Sequence, residues 1–366
     1  VTYDVRVMWS RGEVEFLDLS PYVTQGEWTR KIDIWDEARV TTGPMPSDCC
    51  AALMGIRPWL HELWIREDGE TQFVGPIQTP APGVTGQIDA LGLAAWFSVR
   101  FIRQSFDTTA SPVAASTMIR DIIISALSAS DPNIANFLNI KTCNTPMSRV
   151  IDHTGGSGLD TGSSSGPPIA WDDELSDMIG TYMHMSSFGR ELTFWCAKSL
   201  CLQELAALGP SDLYSNVPVA FDGTTYATRA AVYNDKTGTD SVVGYSGGLD
   251  PTYGILVERK FADDSVSSVS TAQDGAKTHV SKNGLPKLVA GTSTDDAQAL
   301  RLRTCEGVKS SRMQVGSCMP VTLENACTPV TAFMRIEEIK GSWSQDGSSE
   351  TSVTLAEQDN INLISP

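Results

Sequence analysis

Residues 57–77, RPWLHELWIREDGETQFVGPI, leave few choices for the fold. Two apolar-aromatic runs, 59–65 and 73–77, flank Arg66-Glu67-Asp68-Gly69-Glu70. An Asp-Gly pair tolerates the positive φ that a tight reversal needs. The stretch predicts a β-hairpin with aromatics on both arms and a proline at each outer end, and nothing in it suggests chemistry.

The rest of the first hundred residues follows the same period of two. Tyr3, Val5, Val7 and Trp9 alternate with polar neighbours, Arg11-Gly12 turns the chain, and 14–19 returns. A third strand is expected from Trp28 through Val40. A short helix over 49–56, capped by Ser47 or Asp48, precedes the hairpin, and a last strand covers 87–91. Strands with one short helix predict a small antiparallel barrel or sandwich over 1–108.

At Ser111-Pro112 the pattern changes. Serine and proline there predict a helix start, and Met118, Ile119, Ile122 and Ile123 recur at helical spacing. The Ser/Gly-rich tract 155–168 reads as a flexible loop. A second helix, capped by Asp172 and ended by Gly189, and a strand over 191–197 complete an α/β domain over 109–205. A second barrel is expected over 206–366, with strands returning from about Thr225 as 226–233 and 241–245. An inserted subdomain is expected at about 250–308, with a helix over 294–304. Strands follow at 313–315, 319–323, 331–339 and 351–355, with a second Asp-Gly turn at Asp346-Gly347. The fold class expected is mainly β (α+β): two antiparallel β-barrels with a small α/β domain between them and an insertion in the second.

Composition narrows the function. The net charge is −17, which argues against nucleic-acid binding through phosphates and suits a surface that repels DNA. No apolar run reaches the ~18 residues of a membrane span, and the opening VTYDVRVMW reads as a strand, predicting a soluble chain that is not signal-directed. The eight cysteines form no C-x-x-C and lie away from the four histidines, so reduced, buried thiols are expected and no metal site.

Candidate chemistry is thin. Gly162-Ser163-Ser164-Ser165-Gly166 lies in the Ser/Gly loop. Gly244-Tyr245-Ser246-Gly247-Gly248 follows a strand, but Leu249-Asp250-Pro251 replaces the helix of a nucleophile elbow, and only His279 lies downstream as a base. The acidic pairs Asp172-Asp173, Asp263-Asp264, Asp295-Asp296 and Glu337-Glu338 suggest no shared site: Glu337 and Glu338 face opposite ways as strand neighbours, and Asp295-Asp296 sits in the first turn of a helix, where carboxylates favour the dipole. No catalytic residue, cofactor or metal is expected.

Trp28-Thr29-Arg30, Ile32-Asp33-Ile34, Glu37-Ala38-Arg39-Val40, Arg57 to Leu63, Asp68-Gly69 and Val74-Gly75-Pro76-Ile77 resemble the minor tail proteins of long-tailed actinobacterial phages. Those look like relatives of the central baseplate hubs of contractile-tailed phages. Pro251 to Gly254, Met334-Arg335-Ile336 and Val353-Thr354-Leu355 are similar too. The resemblance implies two tube-protein-like barrels per chain and a homotrimer whose six barrels meet a six-fold tail tube. Its partners would be a distal tail protein above, other tip or fibre proteins below, a tape-measure protein in the lumen, dsDNA passing without specific binding, and the host envelope indirectly. The protein would be assembled in the host cytoplasm and act at the virion tail tip. Since the chain stops at Pro366, no peptidase or lysozyme-like extension is expected. The expected structural framework is Trp28, Trp59, Trp64, Gly69, Gly75, Pro76 and Trp343. The alternatives are a hexameric distal tail ring, a tail-associated cell-wall hydrolase and a host-binding adhesin.

Overall fold

Alternating burial shapes the first 91 residues. β1 (Tyr3–Trp9) buries Val5 and Val7, and β2 (Glu15–Asp18) returns beside it. β3 (Val23–Lys31) buries Gly26, Trp28 and Arg30, while β4 (Glu37–Thr42) buries Ala38, Val40 and Thr42. Then come α1 (Ser47–Met54), β5 (His61–Glu67), β6 (Glu70–Ala81), β7 (Gly86–Leu91) and a 3-10 helix, Leu93–Val99. The computed structural model describes residues 2–9, 14–81, 86–99, 106–126, 137–147, 150–151, 175, 178–180, 182–199, 201–209, 219–222, 226–234, 236, 238–250, 254–263, 266–283, 287–290, 299–301, 313–323 and 330–357.

Two expectations for this segment need correcting and one sharpening. The single strand from Trp28 to Val40 is two: Asp33, at φ 62°, reverses the chain, and Trp28 pairs with Ala38. α1 is not capped by Ser47 or Asp48. It starts from Pro46, whose carbonyl accepts from Cys50 N at 3.0 Å. Pro76 ends the β5–β6 ladder, opposite Glu62, but not the strand: β6 runs on and pairs with β7 from Ile77.

The middle of the chain contributes β8 (Phe106–Asp107), β9 (Val113–Ala114), α2 (Ala115–Ala126), β10 (Leu138–Ile140), β11 (Pro146–Met147), β12 (Val150–Ile151), β13 (Met183–Phe188) and β14 (Glu191–Cys196). α2 starts after Ser111-Pro112, because Val113–Ala114 first pairs with Pro146–Met147 and Ala115 N donates to Thr145 O at 2.9 Å. Its Met118, Ile119, Ile122 and Ile123 face a core shared with Leu93, Phe97, Leu192 and Phe194. No helix reaches Gly189, which at φ 58° turns the β13–β14 hairpin. Met183 and Met185 pack into that core, a period of two where 3.6 was expected. Asp172, the expected cap, and the 155–168 loop lie outside the described residues.

The last part holds β15 (Val219–Asp222), β16 (Arg229–Tyr233), β17 (Val243–Gly247), β18 (Glu258–Ala262), α3 (Val269–Asn283), β19 (Lys287–Ala290), β20 (Ala299–Arg301), β21 (Cys318–Leu323), β22 (Val330–Ser344) and β23 (Ser349–Glu357). The helix expected over 294–304 is contradicted where the chain is described: Ala299–Arg301 pairs with β23 as a strand. Residues 313–315 are not a strand but lead into a turn at Gly316, φ 88°. β16 and β17 join β18 in their own three-stranded sheet and do not pair with the large sheet.

The chain is mainly β and its sheets are largely antiparallel. A 13-stranded sheet runs β15-β19-β23-β22-β3-β4-β7-β6-β5-β1-β2, with β20 on β23 and β21 on β22. Its two halves come from opposite ends of the sequence and meet at the antiparallel β3–β22 pair.

The expectation of reduced thiols is overturned for four of the cysteines, while Cys305 and Cys327 lie outside the described residues. Cys143–Cys196 and Cys201–Cys318 are disulfides, with Cα atoms 4.9 and 5.5 Å apart. The sequence separations of 53 and 117 hide both pairings, which depend on β14 and β21 carrying their cysteines to distant segments. Cys49 and Cys50 are free thiols.

Candidate functional site

The residues expected to form a framework do not converge on a pocket. They cluster at two seams of the large sheet. At the first, β3 and β22 each carry a Gly-x-Trp tripeptide, Gly26-Glu27-Trp28 and Gly341-Ser342-Trp343. Antiparallel register sets Trp28 opposite Gly341 and Trp343 opposite Gly26. A Cβ on either glycine would overlap the facing indole, so each ring lies flat on bare backbone. Trp28 is fully buried, and Trp343 stacks on Tyr3 with ring centroids 4.3 Å apart. Gly26 and Gly341 were missed from sequence, although the repeated Gly-x-Trp was a visible signal.

At the second seam, Asp68 and Gly69 take φ 50° and 88° and turn the β5–β6 hairpin. Gly75 lies directly under the Leu91 carbonyl, leaving no room for a side chain. Leu63 and Ile65 point into the sheet's own core, whereas Trp64 is half-buried on the other face of β5, against the core of the middle segment. Trp59, at φ 64°, meets Trp96 edge-on at 5.2 Å.

Polar groups fasten the β13–β14 hairpin to both halves of the large sheet. His184, 1% exposed, places Nδ1 2.7 Å from Asp33 Oδ2 and Nε2 3.1 Å from an Arg335 guanidinium nitrogen. A guanidinium only donates, so Nε2 accepts and Nδ1 carries the proton toward Asp33. Arg335 also donates to Glu337 at 2.7 Å. Met185 N donates to Asp33 Oδ1 at 2.9 Å, Ser187 Oγ donates to Asp36, and Arg190 reaches Glu62 at 3.4 Å. Burial pushes the Asp36 carboxyl up to about 6 despite donation from Ser187 and from Lys31 N. Burial likewise raises Glu62, opposed by Arg190, and lowers the Arg30 guanidinium to about 10. Buried ion pairs of this kind hold a geometry more than they add net stability.

The candidate chemical groups sit in structural settings. Ser246 is followed by Gly247 at φ 85° and no helix, and the His279 ring stacks on Phe261 at 3.6 Å. Glu337 sits at an irregularity of β22 and is held by Arg335. Asp263 N donates to Tyr233 O. Ser164, Asp172-Asp173, Asp264 and Asp295-Asp296 are outside the described residues. Among the described residues no group of three or more His, Cys, Asp or Glu is placed to hold a metal, and no helix is long and apolar enough to cross a membrane.

The large, mainly antiparallel sheet with its two smaller α/β units is a fold that the chain shares with solved phage tail proteins. The chain is similar to the 43 kDa tail protein of prophage MuSo2 from Shewanella oneidensis, at TM-score 0.60 and 10% identity over 98% of each chain. It is similar to a tail protein from Neisseria meningitidis MC58, at TM-score 0.58 and 15% identity, covering 98% of this chain and 97% of that one. A third likeness, at TM-score 0.51 and 9% identity, covers 93% of this chain and 74% of the E. coli c3393 protein. That protein is a component of the type VI secretion system with structural similarity to T4 bacteriophage tail proteins gp27 and gp5. No family model and no curated protein sequence matches the chain.

Proposed function

We propose that this chain is a structural virion protein, the trimeric hub of a tail tip of the kind carried by long-tailed actinobacterial phages. The observation that carries the reading is the β3–β22 seam, which joins strands from both ends of the chain into one sheet, within a fold matched along nearly its whole length by solved tail proteins. In this reading each half of the sheet closes as a tube-like barrel. Three chains then present six barrels to a six-fold tube above. A distal tail protein would sit over the ring, with tip or fibre proteins below it and the tape-measure protein in the lumen. The domains would be a first barrel over 1–108, a peripheral α/β domain over 109–205, and a second barrel over 206–366 whose inserted part already begins with β16. A net charge of −17 suits a conduit through which DNA slides without sticking. The role is mechanical, and Trp28, Trp59, Trp64, Gly69, Gly75, Pro76 and Trp343 serve it as framework.

The test is mass measurement of the purified chain over a range of concentrations, with immunodetection in purified particles. A trimer and a place at the tail tip are expected. A monomer throughout, absent from particles, would overturn the proposal, and a hexamer would assign the chain to a distal ring.

A further inference from the structure

Among the described residues, the small sheet β17-β16-β18 is covered on one face, by α3. α3 packs so closely on β17 that a Cβ on Gly244 would overlap Ala272 and Gln273, and Ala230, Val232, Ala272 and Ala276 form the core between them. The opposite face carries Tyr245, 53% exposed, and Val243, 38% exposed.

Among the described residues, β17 is an end strand and its backbone is open along its outer side. Arg229 N donates to Val257 O at 3.0 Å and Asp263 N donates to Tyr233 O at 2.8 Å, so the odd-numbered residues of β16 turn their polar groups toward β18. Asn234 N donates to Val242 O at 3.1 Å, so the even-numbered ones face β17. Since Tyr245 pairs with Ala231 and Val243 with Tyr233, the N–H and C=O of Val243 and Tyr245 point away from β16, to the free edge. Exposed edges are commonly blunted by charge or proline. The other edge, β18, has the sequence ERKFA, whereas β17, VGYSG, has neither charge nor proline.

Beside this edge lies a cleft of about 320 Å³ lined by Arg229, Tyr245, Gly247, Leu249 and Leu256. Leu249 is 66% exposed. The Arg229 guanidinium lies 5.1 Å from the Tyr245 ring, which carries positive charge out over the edge strand. Glu258 takes one of its nitrogens at 3.0 Å and leaves further donors on the fork. On the face of Tyr245 the three strands carry Arg229 and Lys260 beside Glu258, in a chain of net charge −17.

We propose that β17 is a docking edge for an extended segment of another protein. The segment would add as a strand, bonding the main chain of Val243 and Tyr245, with an apolar side chain in the cleft and a carboxylate facing Arg229. Main-chain bonds then supply affinity, and the cleft and Arg229 supply selectivity.

The probe is a fluorescently labelled heptapeptide alternating valine and glutamate, titrated into the full chain by anisotropy. Saturable binding is expected, at least ~10-fold weaker for the valine–lysine counterpart and for a version N-methylated at alternate amides. Tyr245→Pro removes an outward N–H without touching the β16 ladder and should weaken binding by a similar factor, while Arg229→Ala should abolish the preference for glutamate over lysine. Absence of binding, or equal binding by the N-methylated peptide to the unaltered chain, would overturn the proposal whatever the variants do. So would self-association through this edge, seen as a dimer in sedimentation that Tyr245→Pro dissolves.

Discussion

Trp28 and Gly341 face each other across the β3–β22 pair, and Trp343 and Gly26 repeat the arrangement two residues along each strand. Each indole fills the space left by a missing side chain, so the seam between the two ends of the chain interlocks in one register. A slip by one residue would turn both rings to the wrong face.

Removing the ring or filling its space should therefore both be costly. Trp28→Ala is expected to lose ~3–5 kcal/mol, and Gly341→Val at least ~1–3 kcal/mol, in denaturant titration. In the Trp28→Ala background Gly341→Val should cost much less, because the two residues share one volume. Additive losses would refute the interlock.

Asp36 makes stability fall with rising pH. Its folded pKa, about 6, is raised above the unfolded value of 3.8 by burial. The folded state therefore holds the proton more tightly. The contribution is fully present below pH 3.8 and is lost as pH rises through about 6. Asp36→Asn should remove ~2–3 kcal/mol of pH dependence over that window, measured as unfolding free energy against pH. An unchanged profile would show that another group is responsible.

Cys201–Cys318 closes a separation of 117 residues between the segment after β14 and β21. Replacing both cysteines by serine should cost ~2–5 kcal/mol and lower Tm, as should a reductant acting on the unaltered chain. The doubly substituted chain should then respond less to reductant, retaining only the loss from Cys143–Cys196.

Two glycines of the 57–77 hairpin should answer differently to alanine. Gly69→Ala strains a turn at φ 88° with open space around it, at a cost of about 1 kcal/mol. Gly75→Ala meets the Leu91 carbonyl and should lose several times more, or prevent folding, since that backbone cannot move aside. Trp64→Ala should cost only ~1–3 kcal/mol, because its ring is half-buried.

Much of the local structure was legible in the sequence. Alternation at Val5 and Val7, or Ala38 and Val40, marks strands, and Asp68-Gly69 and Asp346-Gly347 mark turns between them. The face of α2 follows from Met118, Ile119, Ile122 and Ile123. Misreadings came where one pattern fits two structures. Ile32 to Val40 alternates smoothly across a reversal set by one left-handed residue, Asp33. Met183 to Phe188 is apolar enough to extend a helix, yet it is a strand buried on both faces.

By itself the sequence determined many of the strands toward the two ends of the chain, the two Asp-Gly turns, and the net acidic charge. These depend on neighbours a few residues apart. Only the tertiary structure decided that β3 pairs with β22, that Trp28 rests on Gly341, that Cys201 bonds to Cys318, and that His184 bridges Asp33 and Arg335. A period of two assigns each side chain to a face of its own strand but carries no information about which distant strand lies alongside. That choice comes from burying both ends of the chain in one sheet, where only the register that seats two rings on two glycines fills the space.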